Sequence, residues 1–322
     1  MTAKIKVYVE GQSGTTGLKI NERLAAHPYV EVLKIDEARR KDPDARRAMI
    51  NSADVVFICL PDAAARETVS MVEKDNHRTC LIDASTAHRT HSDWTYGLPE
   101  LSREAREAIC SSRQVAVPGC HASAFILPLY PLVKQGIVPA DYPIASHSIT
   151  GYSGGGKQMI AEYTDAQRQV LYPDHDAPRE YALGQKHKHL PEMQKAAGLA
   201  FPPSFSPIVG DFERGLAVFT PLQARLLNQH LTPAEVHQIL EAYYQGQTFV
   251  KVMPFVQDLC IDSAYFNVKA CNNTNRAEIF VFGNSEQILL ACRLDNLGKG
   301  ASGAAVQNMN LMNGFPETLS LE

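Results

Sequence analysis

The sequence predicts an α/β chain: a doubly wound parallel sheet, followed by a second α+β domain built on a mixed or antiparallel sheet. Three observations carry this expectation. Short β-rich runs alternate with helical patterns over the first 120 residues, which is the signature of a parallel sheet covered on both faces. The runs VVFICL and QVAVP lack polar alternation, as strands buried on both sides do. Beyond about residue 150, sheet-like runs follow one another with few helices between them. The length of 322 residues also exceeds the roughly 250 to 300 at which a single hydrophobic core stops growing.

Taken in order, IKVYV reads as the first strand and LKINERLAA as the helix after it. VEVLKI, VVFICL, TCLID and QVAVP continue the strands, separated by the helical patterns ARRAMI and AARETVSMV. In the second half IASHSI, LAVFTPL, FVKVM, YFNVKAC, AEIFVFG and QILLACRL read as strands, and TPAEVHQILEAYYQG as a helix with a threonine cap. The tail GKGASGAAVQNMNLMNG is a glycine-rich entry into a helix of small and apolar residues, expected to return to the first domain. The expected division is residues 1–119 with 296–322, and residues 120–295.

Composition narrows the function. A formal net charge of -4 argues against a nucleic-acid partner, which calls for a dense basic surface. No run approaches the 18 or so apolar residues of a membrane span, and MTAKIKVYVEG lacks a signal-type apolar segment, so a cytoplasmic location is expected. Seven cysteines, at 59, 80, 110, 120, 260, 271 and 292, are scattered and never form CxxC. That pattern fits reduced thiols and no metal site.

Two glycine-rich loops follow strands. Gly11-Gln12-Ser13-Gly14-Thr15-Thr16-Gly17 separates the first strand from its helix, where backbone N–H groups and the helix dipole suit a pyrophosphate. Asp36, after the second strand, suits the ribose 2′-hydroxyl of NAD, whereas Arg39 and Arg40 suit the 2′-phosphate of NADP. A solvated helix face reads the same RRKDPDARR segment equally well. Ser148-Ile149-Thr150-Gly151-Tyr152-Ser153-Gly154-Gly155-Gly156-Lys157 reads either as a flexible connection or as a cradle in which the Ser153 hydroxyl, the Gly154 backbone and the Lys157 charge hold an acyl phosphate or cofactor.

Cys120 stands apart from the other thiols. It follows Pro118-Gly119 where the last strand of the first half gives way to the helical pattern CHASAFILPLYPLV. A helix N-terminus stabilises a thiolate, and the carboxyl end of a parallel strand is where open α/β sheets bind ligands. KHKHLPE supplies His187 and His189 as proton-handling partners, with Glu192 near enough to fix a tautomer. The HxH pair has no third ligand at recognisable spacing for a metal.

These motifs, with DASTAHR (83–89), YGLPEL (96–101), VPGC (117–120) and DNLGKGASGAAVQNMNLM (295–312), run along nearly the whole chain in one order. In them the chain closely resembles the N-acetyl-γ-glutamyl-phosphate reductases of the shorter type. The resemblance implies an NADP-linked acyl-phosphate reductase of arginine biosynthesis, with a Rossmann domain and an α+β domain of the glyceraldehyde-phosphate dehydrogenase kind. It implies Cys120 as nucleophile and His189 or His187 as acid/base, with Glu192 beside them. It assigns Ser13, Gly14, Thr15 and Gly17 to the dinucleotide loop and Asn296 to the segment near the nicotinamide. Ser85 and Arg89 are assigned to the cofactor and substrate cleft, and Ser153 and Lys157 to the substrate loop. A small acyl phosphate and phosphate are the implied partners, and a homodimer or homotetramer the implied assembly. Val117 and His121 flank the nucleophile where longer relatives carry Asn and an aromatic ring. Aspartate semialdehyde dehydrogenase and the reductase of carrier-bound aminoadipyl phosphate share this logic. A dinucleotide-sensing regulator without turnover and a cofactor-free thiol hydrolase are the readings from other classes.

Overall fold

A computed structural model describes residues 4–255 and 265–321; Cys260 lies outside them. The chain forms two compact units, Met1–Pro118 with Ala301–Glu322, and Gly119–Gly300. The crossings therefore fall at 118/119 and 300/301, against the expected 119/120 and 295/296.

The first unit runs β1 (Ile5–Glu10), α1 (Thr15–Ala25), β2 (Val30–Leu33), α2 (Pro43–Ser52), β3 (Val55–Ile58), α3 (Asp62–Ser70), β4 (Cys80–Asp83), β5 (Thr95–Tyr96), α4 (Arg103–Ser111) and β6 (Gln114–Ala116). Its six strands lie in the order β2-β1-β3-β4-β6-β5, and every pairing is parallel. Both faces are apolar because successive side chains alternate. Tyr8, Val56, Ile58 and Leu81 pack with Ile50 of α2 and Ala65 of α3, while their neighbours Val7, Val55, Phe57 and Ile82 are buried with Ile20 and Leu24 of α1. Each such side chain contributes about 1.5–3 kcal/mol. The C-terminal helix Gly303–Met312 joins this unit: Asn308 Nδ2 donates to Gly97 O at 3.0 Å, and Gln307 Nε2 to Glu100 Oε1 at 2.8 Å.

Helix starts follow local chemistry. Asp42 accepts from Asp44 N and Ala45 N ahead of Pro43, and Ser102 caps α4 through Ala105 N. By contrast α1 begins after Gly14 with no side-chain cap.

The second unit runs α5 (Cys120–Lys134), β7 (Ala145–Gly151), α6 (Gly156–Thr164), α7 (Arg168–Leu171), β8 (Arg179–Glu180), α8 (Leu190–Ala197), β9 (Ser204–Gly210), β10 (Leu216–Gln223), α9 (Pro233–Tyr243), β11 (Val250–Val252), β12 (Ala277–Gly283) and β13 (Gln287–Leu294). Among the described residues its seven strands lie in the order β11-β12-β13-β10-β7-β9-β8. The sheet is mixed: β7 pairs with β9 and β11 with β12 in parallel, while the other pairings are antiparallel. Helix α5, buried over most of its surface, packs on β10, β13 and α8. Thr232 and Glu235 close a reciprocal capping box at α9.

One expected strand is absent. YFNVKAC forms turns, because Asn267 accepts from Lys269 N through its side chain and from Ala270 N through its carbonyl. Phe266 anchors the segment instead, packing edge-on against Phe219 and Phe280. Turn chemistry at asparagine outweighed the β-prone composition of the run. SFSPIVG, which the sequence reading passed over, is β9; Pro207 lies inside it.

Candidate active site

Cys120 is the first residue of α5, and Gly119 before it offers no side-chain cap. The opening N–H groups of the helix thus remain at the thiol end, with the positive end of the helix dipole. The Gly119 N–H itself donates to Glu192 Oε2 at 3.1 Å. Glu192 is 1% exposed, and its other oxygen lies 4.0 Å from His189 Nε2. One carboxylate therefore ties the entry of α5 to the start of α8.

The His187 and His189 rings lie against each other. Their ring centroids are 4.7 Å apart at 89°, and His187 Nδ1 accepts from His189 N at 3.2 Å. They do so in turns leading into α8, not in an extended strand. His189 is buried while Lys186 and Lys188 are exposed, so the segment is not a uniform basic surface. His121 joins them at 5.4 and 5.6 Å, and Phe205 backs both His121 and His187. The third imidazole escaped the motif reading because it lies more than sixty positions from the other two.

A wide helical turn, Gly298–Ser302, closes on the nucleophile: a Cβ added at Gly300 would lie 2.6 Å from that of Cys120. Nearby in sequence, Asn296 donates from Nδ2 to Ser153 Oγ at 2.9 Å and accepts from Gly215 N at 2.9 Å. Ser153 is 1% exposed. The residues expected to meet nicotinamide and substrate are thereby joined to each other, and Asn296 braces the loop that Ser153 opens. Gly154 and Lys157 are exposed, at the end of that loop and in the first turn of α6.

In the first unit, Gly11 has φ +85°, and a Cβ there would meet Cys59 O at 2.4 Å. Gly17 approaches the Gly11 carbonyl as closely, its added Cβ lying 2.5 Å from that oxygen. Neither position accepts a side chain, so the loop folds tightly against the start of α1. Gly14 N donates back to Gly11 O at 2.9 Å, Ser13 is exposed, and Thr16 lies in the first turn of α1. Thr15 Oγ1 is buried without a hydrogen-bond partner. A groove of about 680 Å³ joins Gln12 of this loop to Ile35 and Glu37 beyond β2. The uncapped helix, the orphaned hydroxyl and the groove suit a dinucleotide.

Beyond β2, Asp36 accepts from Ala38 N at 2.9 Å. Arg39 donates twice to Asp42 Oδ2, at 3.1 and 2.9 Å, and Arg40 pairs with Glu37. These are exposed pairs between near neighbours, which are weak and readily exchanged for another anion. Ser85 donates to Asp83 Oδ2 at 2.8 Å, and His88 Nδ1 lies 2.6 Å from the same oxygen with its ring stacked on Trp94. Arg89 donates to Val117 O at 2.9 Å and to Ala84 O at 3.2 Å, holding the strand that leads to Cys120. Asp83 and His88 stood within the DASTAHR motif but drew no role from it.

Four other thiols are held protonated by their settings. Burial pushes Cys271 up to about 12 and raises Cys80, Cys59 and Cys292, disfavouring their thiolates. Among the described residues no group of three or more His, Cys, Asp or Glu is placed to hold a metal ion, and no helix is long and apolar enough to cross a membrane.

Two family profiles match in tandem: "Semialdehyde dehydrogenase, NAD binding domain" over residues 6–109 and "Semialdehyde dehydrogenase, dimerisation domain" over 120–296. The chain is 45% identical to N-acetyl-gamma-glutamyl-phosphate reductase 2 of Nostoc sp., over 99% of both chains. It is 44% identical to the protein of that name from Pseudomonas putida over 96% of both, and 43% identical to the Brucella ovis reductase over 97% of this chain and 99% of that one. Among solved structures, aspartate semialdehyde dehydrogenase II of Vibrio cholerae superposes with a TM-score of 0.71 at 16% identity, covering 97% of this chain and 99% of that one. The Candida albicans aspartate semialdehyde dehydrogenase with NADP superposes at 0.64 and 14% identity, over 97% and 99%. These two establish the fold. With identity above two-fifths over nearly its full length, the chain belongs to the N-acetyl-γ-glutamyl-phosphate reductase family.

Proposed function

We propose that the chain reduces N-acetyl-L-glutamyl 5-phosphate to N-acetyl-L-glutamate 5-semialdehyde and phosphate with NADPH, a step of arginine biosynthesis. The reading rests above all on Cys120, placed at an uncapped helix N-terminus beside a buried Glu192 and the paired His187 and His189. The Cys120 thiolate attacks the acyl carbon. A C–S bond forms, the C–O bond to phosphate breaks, and a thioester remains. NADPH, when bound, supplies a hydride to the thioester carbonyl carbon. The oxyanion so formed collapses, expels the Cys120 thiolate and releases the aldehyde. His189 handles the thiol proton, oriented by Glu192, with His187 bonded behind it through the His189 N–H. Ser153, Gly154 and Lys157 receive the phosphoryl end of the substrate, and Ser85 and Arg89 are the candidate cofactor and substrate residues of the first unit.

The test is phosphate-dependent reduction of NADP by purified protein, with N-acetylglutamate semialdehyde set against aspartate semialdehyde. Turnover of the first, abolished in Cys120→Ser with cofactor binding retained, is expected. Preference for aspartate semialdehyde moves the chain to the alternative substrate, and full activity in Cys120→Ser refutes the thioester. Tight NADPH binding with no turnover on any acyl phosphate favours a sensor instead. The working form is a cytoplasmic homodimer or homotetramer assembled through the second unit, which light scattering on the purified chain would test.

A further inference from the structure

His121, next to the nucleophile, is only 4% exposed. Its Nε2 lies 3.0 Å from the Tyr181 hydroxyl, while its Nδ1 is buried with no hydrogen-bond partner. The orphaned nitrogen decides the direction of the bond. If Tyr181 donated to Nε2, the ring proton would sit on Nδ1 as a buried donor with nothing to accept it. Orphaned buried donors are rarer and costlier than acceptors left with a bare lone pair. The favoured tautomer therefore carries its proton on Nε2 and donates it to Tyr181 Oη. That leaves the phenolic O–H pointing away from His121. Burial, and with it negative charge on the neighbouring Cys120, opposes ionisation of Tyr181, so its hydroxyl keeps its proton, and no hydrogen-bond partner other than His121 is seen for it among the described residues. Burial, reinforced by His187 and Lys188, drives the His121 pKa down to about 3, so the ring stays neutral and the arrangement holds at working pH.

We propose that Tyr181 is a further catalytic residue of the reaction at Cys120, its O–H donating to the sulfur and then to the oxyanion of the thioester, and that His121 positions it. The inference rests on the thioester reading given above. Of the titratable groups around Tyr181, His121 of α5 lies at the hydroxyl, the His187 ring lies 5.8 Å from the phenol ring, and Cys120 acts on it through its charge, while Lys188 acts on His121. Tyr181 has no further proton to give once it donates to sulfur. It transfers none, and charge balance remains with His189.

The test combines Tyr181→Phe, His121→Phe and His121→Gln, whose amide N–H replaces the Nε2 donor. Two readouts are required: kcat, and the pH midpoint of Cys120 alkylation by iodoacetamide, followed on the Cys120 peptide because Cys110 is exposed and Cys120 only half-buried. Tyr181→Phe is expected to lower kcat on the order of a hundredfold, as loss of one oxyanion donor does, and to raise the alkylation midpoint by about one pH unit. NADPH affinity should not change. His121→Phe should move both readouts in the same direction, and His121→Gln should restore most of the loss. Unchanged kcat and midpoint in folded Tyr181→Phe overturn the proposal, as does a His121→Gln no better than His121→Phe. Should His121→Phe fail to fold, Tyr181→Phe alone decides. Activity surviving in Cys120→Ser would instead overturn the thioester reading, so the two failures are separable.

Discussion

A glycine packs tightly against the nucleophile. An alanine at position 300 would place its Cβ 2.6 Å from the Cys120 Cβ and 3.1 Å from both Asp295 O and Leu294 Cδ1. Carbon atoms settle at about 3.5–4.0 Å, so something must move by about 1 Å. The Gly300 side is held in place. Its N–H donates to Asp295 O at 2.9 Å, and the Asp295 carboxylate accepts from Leu297 N at 2.8 Å and from Asn273 N at 2.7 Å. Cys120, in the frayable first turn of α5, is the part that yields. Displacing a reacting group by about 1 Å costs on the order of a hundredfold in rate, and overpacking costs about 1–3 kcal/mol in stability. Gly300→Ala should therefore lose kcat and slow the alkylation of Cys120, while melting only several degrees lower. Gly154→Ala is the control for stability, because its Cβ would meet nothing closer than 3.5 Å. A folded Gly300→Ala with wild-type kcat and wild-type alkylation would refute the argument.

Thr15→Val should weaken NADPH binding, read by fluorescence titration, by about tenfold while leaving the melting temperature unchanged or higher, because the lost hydroxyl has no partner in the protein. Arg46→Met strands Glu10, 4% exposed and held by Arg46 Nε at 2.7 Å; a loss of about 3–5 kcal/mol is expected in denaturant unfolding. Because folding lowers the His121 pKa from 6.5 to about 3, the stability it confers is present above pH 6.5 and declines as pH falls toward 3. Between pH 6.5 and 4.5 this amounts to about 2 kcal/mol. Denaturant unfolding across that range should show a shallower decline in His121→Phe, with the burial-lowered His27 accounting for part of the slope that remains.

What was legible in the sequence was contiguous. The glycine loop stands between a strand and a helix, and Cys120 stands at another such junction, so each could be read from a dozen residues. The mixed sheet of the second unit was legible as a class, but not strand by strand. YFNVKAC carries strand composition and is bent by its own asparagine, whereas SFSPIVG carries a proline and is kept extended by parallel pairing along the whole of β7. Those outcomes depend on register with strands far away in the chain. The site divides in the same way. Ser153 and Asn296 were picked separately from two motifs, and only the fold reveals that 143 positions of sequence separation end in one hydrogen bond. His121 stands out in sequence only as the neighbour of Cys120 and Tyr181 not at all, since a tyrosine and a histidine 60 residues apart signal no contact until the fold brings them together.

The charge balance at Cys120 leads to a final prediction. A thiolate beside a buried carboxylate is unfavourable, and Glu192 is nearly fully buried at the same helix entry. His121, held neutral, supplies no compensating charge. Moving the Cys120 proton to His189 eases the conflict: the carboxylate then faces an imidazolium across 4.0 Å, and the thiolate sits at the α5 N-terminus. Glu192 favours this state through His189 while opposing it at the sulfur, so its net effect depends on which charge lies nearer. The 4.0 Å separation from His189, together with the hydrogen bond that turns its other oxygen to the Gly119 N–H, gives the imidazolium the advantage. Glu192→Gln preserves shape and can still accept the Gly119 N–H, so the fold should survive. Its Cys120 alkylation midpoint should rise by about one pH unit and kcat fall on the order of tenfold. A midpoint that falls would mean that the carboxylate acts on the sulfur directly, and the role of His189 as the proton acceptor would have to be withdrawn.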